Sequence, residues 1–171
     1  MNTKRDITLI NRIVLLDGIT GTGKTMFLAL LNSSSNTMAG QFLYAFEHIS
    51  ILHKLNKIDI NDASVLLKLI ADEKFYNNFI SREVNFRPND LSSVLKSTKG
   101  LKYFIQLFSG DGEIVENRLK NENSIFTIVT HQLFSALDPL FNAFNEKLFV
   151  IEMERHPLYL IKHWFTWIDL Y

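Results

Sequence analysis

Between Gly18 and Thr25 the chain reads Gly-Ile-Thr-Gly-Thr-Gly-Lys-Thr, a full G-x-x-x-x-G-K-[ST] pattern. Just before it, Ile13 to Leu16 form a short apolar run that predicts a buried strand. Just after it, Met26 to Leu31 predict a packed helix. Strand, glycine-rich turn and helix in this order are the context in which the pattern binds phosphate. The glycines let the backbone wrap an anion and point its N–H groups inward. The helix that starts near Gly23 adds the positive end of its dipole. Lys24 supplies a point charge for terminal phosphate oxygens, and Thr25 offers a hydroxyl to magnesium or to phosphate. Gly18, Thr20, Gly21, Thr22, Gly23, Lys24 and Thr25 are therefore the predicted phosphate contacts. A chance glycine turn is the alternative, and the flanking strand and helix argue against it.

Any anion site in this chain must be local. Its formal net charge is zero, so nothing global favours nucleic acid or acidic membranes. At 171 residues, 47% hydrophobic and 21% charged, it predicts one globular domain, 1–171, with a real core. The absence of cysteine excludes disulfides, thiol catalysis and zinc–thiolate sites, and it fits a reducing compartment. Asn11 and Arg12 interrupt the first apolar run and no small-residue cleavage site follows, which argues against a signal peptide. No apolar run reaches the length of a membrane span. The expectation is a cytoplasmic protein.

Along the chain, 12–17 is the first predicted strand and 24–32 the helix after the loop. Gly40 to Ser50 reads either as a short second strand, with Phe42, Tyr44 and Phe46 alternating, or as the opening of a helix. The middle, about 50–120, reads as a helical insertion. Asp62 is a candidate N-cap for a helix with Val65, Leu66, Leu69 and Ile70 at helical spacing, and a second helical stretch covers Glu73 to Glu83. Pro88 predicts a break. Asp90 is placed to cap a short helix, Leu91 to Lys96. Leu101 to Phe108 fits strand or helix, Ser109 to Gly112 a turn, and Glu113 to Asn121 a solvated helix. Alternation then resumes: strand 124–130, amphipathic helix Leu133–Phe144, strand 147–152, and a last helix opened by Pro157. Strands separated by helices predict an α/β fold with a parallel sheet flanked by helices. Three predicted strands are few for such a sheet, and the chain stops inside or just after an apolar helix with Trp164 and Trp167, so a fragment or a minimal version of a larger enzyme is one expectation.

Arg155 marks a second anion site. It lies at the carboxyl end of a strand beside a helix N-terminus, the edge of an open α/β sheet where ligands sit. The alternative is an ion pair with Glu152 or Glu154 that only trims the turn. With Phe126 to His131, a strand ending in Thr130-His131, and Leu148 to Pro157, a strand ending in Arg155-His156-Pro157, the chain resembles the P-loop-related sulfotransferases. The resemblance covers about 12–31 and 124–168. It implies a three-layer P-loop fold and the donor 3′-phosphoadenosine-5′-phosphosulfate, with Arg155 on its 3′-phosphate and Gly18 to Thr25 around its 5′ side. It also brings His163 to the position where the family has a serine on that phosphate. Thr20 stands where the family's loop carries lysine. Lys24, after the last glycine, matches nucleotide kinases and other NTPases better.

His131, at a strand end near the loop, is a candidate general base. The alternative is a histidine satisfied at its strand end. The resemblance makes Glu47, after the first helix, the second candidate base, with a structural use as its alternative. Arg82 and Arg87 could reach substrate or phosphate. Glu152 could hold magnesium together with Thr25 in a kinase, or pair with Arg155. His156 and His163 share a helix face without a third ligand, so no metal site is predicted. The sequence thus predicts a group transferase that takes a sulfuryl group from 3′-phosphoadenosine-5′-phosphosulfate to a hydroxyl of a small-molecule or carbohydrate acceptor, with Lys24, His131 and Glu47 as the catalytic set. An ATP-dependent small-molecule kinase using Mg²⁺ is the alternative, and a catalytically idle nucleotide-binding module the third reading.

Overall fold

The computed structural model describes residues 8–90, 93–108 and 113–168. Four parallel strands form one sheet: β1 (Arg12–Asp17), β2 (Gln41–Phe42), β3 (Ile125–Val129) and β4 (Leu148–Glu152), in the order β2-β3-β1-β4. Parallel neighbours need crossovers, and helices supply them. The helices are α1 (Lys24–Ser33), α2 (Tyr44–Lys54), α3 (Ile60–Phe79), α4 (Gly100–Gln106), α5 (Glu113–Asn121), α6 (Asp138–Phe144) and α7 (Pro157–Ile168). The expected α/β class with a parallel sheet flanked by helices is what the chain adopts.

β1 lies in the middle, and its register sets the site. Ile13 faces Phe126 of β3 and Leu148 of β4, while Asp17 faces Glu152. Side chains alternate across the sheet. Ile13, Leu15, Phe126, Ile128 and Leu148 join the larger core with α2, α3 and α6. Leu16 and Val129 face the other way, onto Leu28 of α1. Because the four strands are parallel, their carboxyl ends share one edge of the sheet, the edge where β1 runs into the loop before α1.

The middle differs from the sequence expectation in informative ways. The helix after Lys57 is continuous over Ile60–Phe79 rather than two stretches. Its cap is Asp59, not Asp62: the Asp59 carboxylate accepts from the N–H of Asn61 at 2.7 Å and of Asp62 at 3.0 Å. Its buried stripe is Ala63, Leu67, Ala71, Phe75 and Phe79, every fourth residue. Leu66 and Leu69, expected on the core face, are exposed. Two alanines on the stripe let α6 approach closely, and Ser64 stitches the pair by donating to Pro139 O at 3.2 Å. The Gly40 to Ser50 stretch is both of its alternatives in turn, two residues of strand and then α2. Leu101 to Phe108 resolves as helix. The short helix expected from Leu91 is a 3-10 turn, Val94–Lys96, capped by Ser93, with Leu91 and Ser92 outside the described residues. The turn at Ser109 to Gly112 also falls outside them. Leu133–Phe144 divides into a 3-10 turn, Phe134–Ala136, and α6, because Pro139 favours the first helical turn. No described helix is long and apolar enough to cross a membrane.

Phe75 is almost wholly buried and meets Phe126 edge-to-face at 5.6 Å, which joins α3 to the sheet. Phe75→Ala should lower unfolding free energy in urea by about 3–5 kcal/mol. A loss below ~1 kcal/mol would mean that α3 is not part of the cooperative core.

Candidate functional site

β1 ends at Asp17, and the chain turns at once into the glycine loop. Gly18, Gly21 and Gly23 take φ of 132°, 95° and 98°, a region that side chains disfavour. At Gly18 there is also no space, since a Cβ would run into the carbonyl of Met153. Of the loop amides 19–23, only that of Thr22 donates to a backbone carbonyl among the described residues, Ile19 O at 3.4 Å. The Thr22 hydroxyl donates to the same oxygen at 2.9 Å. The other amides have no backbone acceptor there and are the donors an anion would use. Lys24 is buried, and its Nζ donates to Gly18 O and, at 3.0 Å, to Ile19 O. Burial holds its pKa below the ordinary lysine value, and the charges of Asp17, Glu152 and Glu47 oppose that shift. Thr25, in the first turn of α1, is exposed and lines a cavity of about 180 Å³ between α1 and residues 93–103.

Asp17 is the residue that the sequence reading passed over. It is fully buried. One carboxylate oxygen accepts from the Thr130 hydroxyl at 2.8 Å. The other accepts from the N–H groups of Leu133 and Phe134, each at 2.7 Å. A carboxylate as the last residue of an apolar strand was the available signal, because a charge is buried only when it is bonded or paired. Its strand partner is Glu152. Burial, then the nearby Asp17 carboxylate, then Glu154, push the Glu152 carboxyl up to about 7, with Lys24 opposing. Two carboxyls brought this close favour a proton on one of them. Glu152 Oε2 is buried without a hydrogen-bond partner.

Glu47 and His131, expected as rival bases, meet. The backbone N–H of His131 donates to Glu47 Oε1 at 2.7 Å, and His131 Nδ1 stands 3.4 Å from the same oxygen. The imidazole stacks on Phe42 and on Tyr44, each ring centroid 5.6 Å away. β2, the start of α2 and the end of β3 bring these four residues together.

Helix α7 seats against the outside of the loop. Arg155 donates to Gly21 O at 3.1 Å, and its guanidinium lies 5.8 Å from the centre of the Tyr159 ring. Among the described residues it makes no ion pair with Glu152 or Glu154, so the turn-trimming alternative is not what the fold uses. Trp164 Nε1 donates to Thr20 O at 2.9 Å, and a Cβ at Gly21 would come within 2.7 Å of His163 Cδ2. His156 Nδ1 accepts from the Leu158 N–H at 3.3 Å and so caps α7. Arg82 and Arg87 are exposed, and neither bonds the loop. Among the described residues no group of three or more histidines and carboxylates could hold a metal ion. Comparison with protein-family models, with curated proteins and with solved structures finds no match.

The carboxyl pair makes stability depend on pH. Glu152 holds its proton to about pH 7 in the fold, against an ordinary value of 4.5. Its contribution is therefore fully present below about 4.5 and is lost as pH rises through about 7. Glu152→Gln keeps the shape of the protonated carboxyl without its titration. Its melting temperature should gain on that of the wild type between pH 5 and pH 8. Parallel curves over that range would show that Glu152 loses its proton at the ordinary carboxyl value in the fold.

Proposed function

We propose that the chain is a P-loop nucleotide-dependent group transferase, and that the donor its site suits best is ATP with magnesium, the phosphoryl group passing to a hydroxyl acceptor. The observation that carries this reading is the glycine loop, with its unpaired amides, closed on Lys24 directly in front of the Asp17–Glu152 pair. Loop amides and Lys24 would take the phosphates, exchanging the Gly18 and Ile19 carbonyls for phosphate oxygens. The carboxyl pair fits a divalent cation: Glu152 has a buried unpartnered oxygen, Asp17 is its strand neighbour, and a cation can replace the Glu152 proton. Glu152 and Thr25 are the residues that would hold magnesium, which when bound offsets phosphate charge. Glu47 beside Nδ1 favours the His131 tautomer protonated there. Nε2 is then left to accept the proton of a hydroxyl.

A second reading keeps 3′-phosphoadenosine-5′-phosphosulfate as donor. Arg155 and His163 favour it, two potential cations against Gly21 where a 3′-phosphate could be held. Sulfuryl transfer in the resembled sulfotransferases uses no metal, so calorimetry with ATP and with adenosine 3′,5′-bisphosphate, each with magnesium and with chelator, separates the two. Magnesium-dependent ATP binding is expected. Metal-independent preference for the bisphosphate would give the case to sulfuryl transfer, and no binding of either nucleotide would end both readings.

Lys24→Ala should weaken nucleotide binding about tenfold to a hundredfold, the loss of a charge-assisted contact. Unchanged affinity would remove Lys24 from the site. His131→Ala should slow transfer by about 10²–10⁴ and leave nucleotide affinity intact, because the base meets the acceptor and not the donor. Normal turnover in that variant would move the base to Glu47.

A further inference from the structure

The cavity that Thr25 lines, about 180 Å³, runs along α1 between that helix and residues 93–103. A cavity of about 150 Å³ is enough to admit benzene, so a compact small molecule fits. Thr25, Leu28, Ala29 and Asn32 supply one face of the helix, at the spacing i, i+3, i+4 and i+7. Thr25 directly follows Lys24 of the glycine loop. Asn32 lies roughly 10 Å further along the helix, at 1.5 Å per residue.

Among the described residues the wall holds Lys96 and Lys99 and no carboxylate. The two lysines differ. Lys99 Nζ is engaged with Ser34 O and, at 2.6 Å, with Thr37 O, which ties the segment after residue 97 to the end of α1. Lys96 is exposed, and its Nζ has only Asn89 O, at 3.3 Å, as an acceptor among the described residues. Asn32 Oδ1 accepts from the Gly40 N–H at 3.2 Å, which fixes the amide and leaves Nδ2 as a donor with no acceptor there. Asn32 is half-buried, and its Nδ2 is not one of the sealed unpaired atoms of the fold, so a small molecule can reach it. A cation in this cavity would meet Lys96 and Lys99. A purely apolar molecule would leave the Asn32 donor unpaired. An anion satisfies both, and Leu28, Val94 and the Tyr103 ring offer apolar surface for its carbon body.

We propose that this cavity binds a small organic anion, a hydroxylated monocarboxylate with a compact carbon body, Lys96 supplying the countercharge and Asn32 Nδ2 a donor. A single carboxylate matches the single lysine that is not already committed. Ala39 and Val94 also belong to the wall of a second cavity, where Phe42 stacks on His131, so the two spaces adjoin. Anion binding stands on the cavity alone. Its role as the acceptor site of group transfer, beside Thr25, rests on the reading proposed above.

The test follows the Asn32 side-chain amide in ¹H–¹⁵N spectra of the full chain, titrated with trans-4-hydroxycyclohexanecarboxylate. The neutral carboxamide of the same acid and trans-4-aminocyclohexanol are the controls. The amide should shift with the acid in the millimolar range and respond at least severalfold more weakly to either control. Lys96→Gln should weaken binding about two- to fivefold, the scale of an exposed charge pair. Ala29 is exposed, so Ala29→Trp fills the cavity from its open side and should block binding. Silence of Asn32 up to tens of millimolar acid, an equal response to the carboxamide, unchanged affinity in Lys96→Gln, or undiminished binding in Ala29→Trp would each overturn the proposal. The glycine loop is the rival place for an anion, so the titration is repeated in Lys24→Ala. Shifts that persist there support the cavity, and their loss would put the anion in the loop and overturn it. Binding of the acid by a wild-type chain that binds no nucleotide would sustain the cavity and sink the transferase.

Discussion

The buried carboxylate of Asp17 is the interaction on which the site depends. It ends the central strand, and it receives the Thr130 hydroxyl and the amides of Leu133 and Phe134. Those bonds fix the exit of β3 against the exit of β1. Everything that β3 presents, His131 above all, is thereby held at a set height beside the glycine loop. A charge in this position is tolerable because each oxygen is bonded, and an apolar residue here would leave two backbone N–H groups and a hydroxyl unpaired.

The same carboxylate organises the charges around the loop. Lys24, Asp17, Glu152 and Glu47 are near enough to influence one another. The lysine lies along the loop carbonyls, and the glutamate keeps a proton into the neutral range. Both shifts come from crowding charged groups out of water at the strand ends. Perturbed groups clustered at strand ends are where binding chemistry is usually found. Arg155, in the turn before α7, and His163 and Trp164 of α7 lie against loop residues and so couple the last helix to the first turn.

Much of the frame was legible from residue order alone. The strand–loop–helix at 12–33, the strands at 125–129 and 148–152, and the start of α7 at Pro157 follow from local chemistry: short apolar runs, glycines where φ must be positive, and a proline suited to a first helical turn. The stripe of α3 was not legible. Leu66 and Leu69 have the right spacing for a buried face, but Ala63, Leu67, Ala71, Phe75 and Phe79 have it too, and only the approach of α6 favours the face with the small residues.

The sequence by itself determined that a glycine loop followed by Lys24 would close the first strand, because those constraints act within a few residues. The tertiary structure decided which distant groups share that loop. Glu47 meets His131 across 84 positions, and Arg155 reaches Gly21 across 134. Asp17 meets Glu152 through a strand register that no local pattern specifies. Pairing of this kind is set by how whole elements pack, so two histidine or carboxylate candidates that look like rivals along the chain become partners only once the sheet has formed.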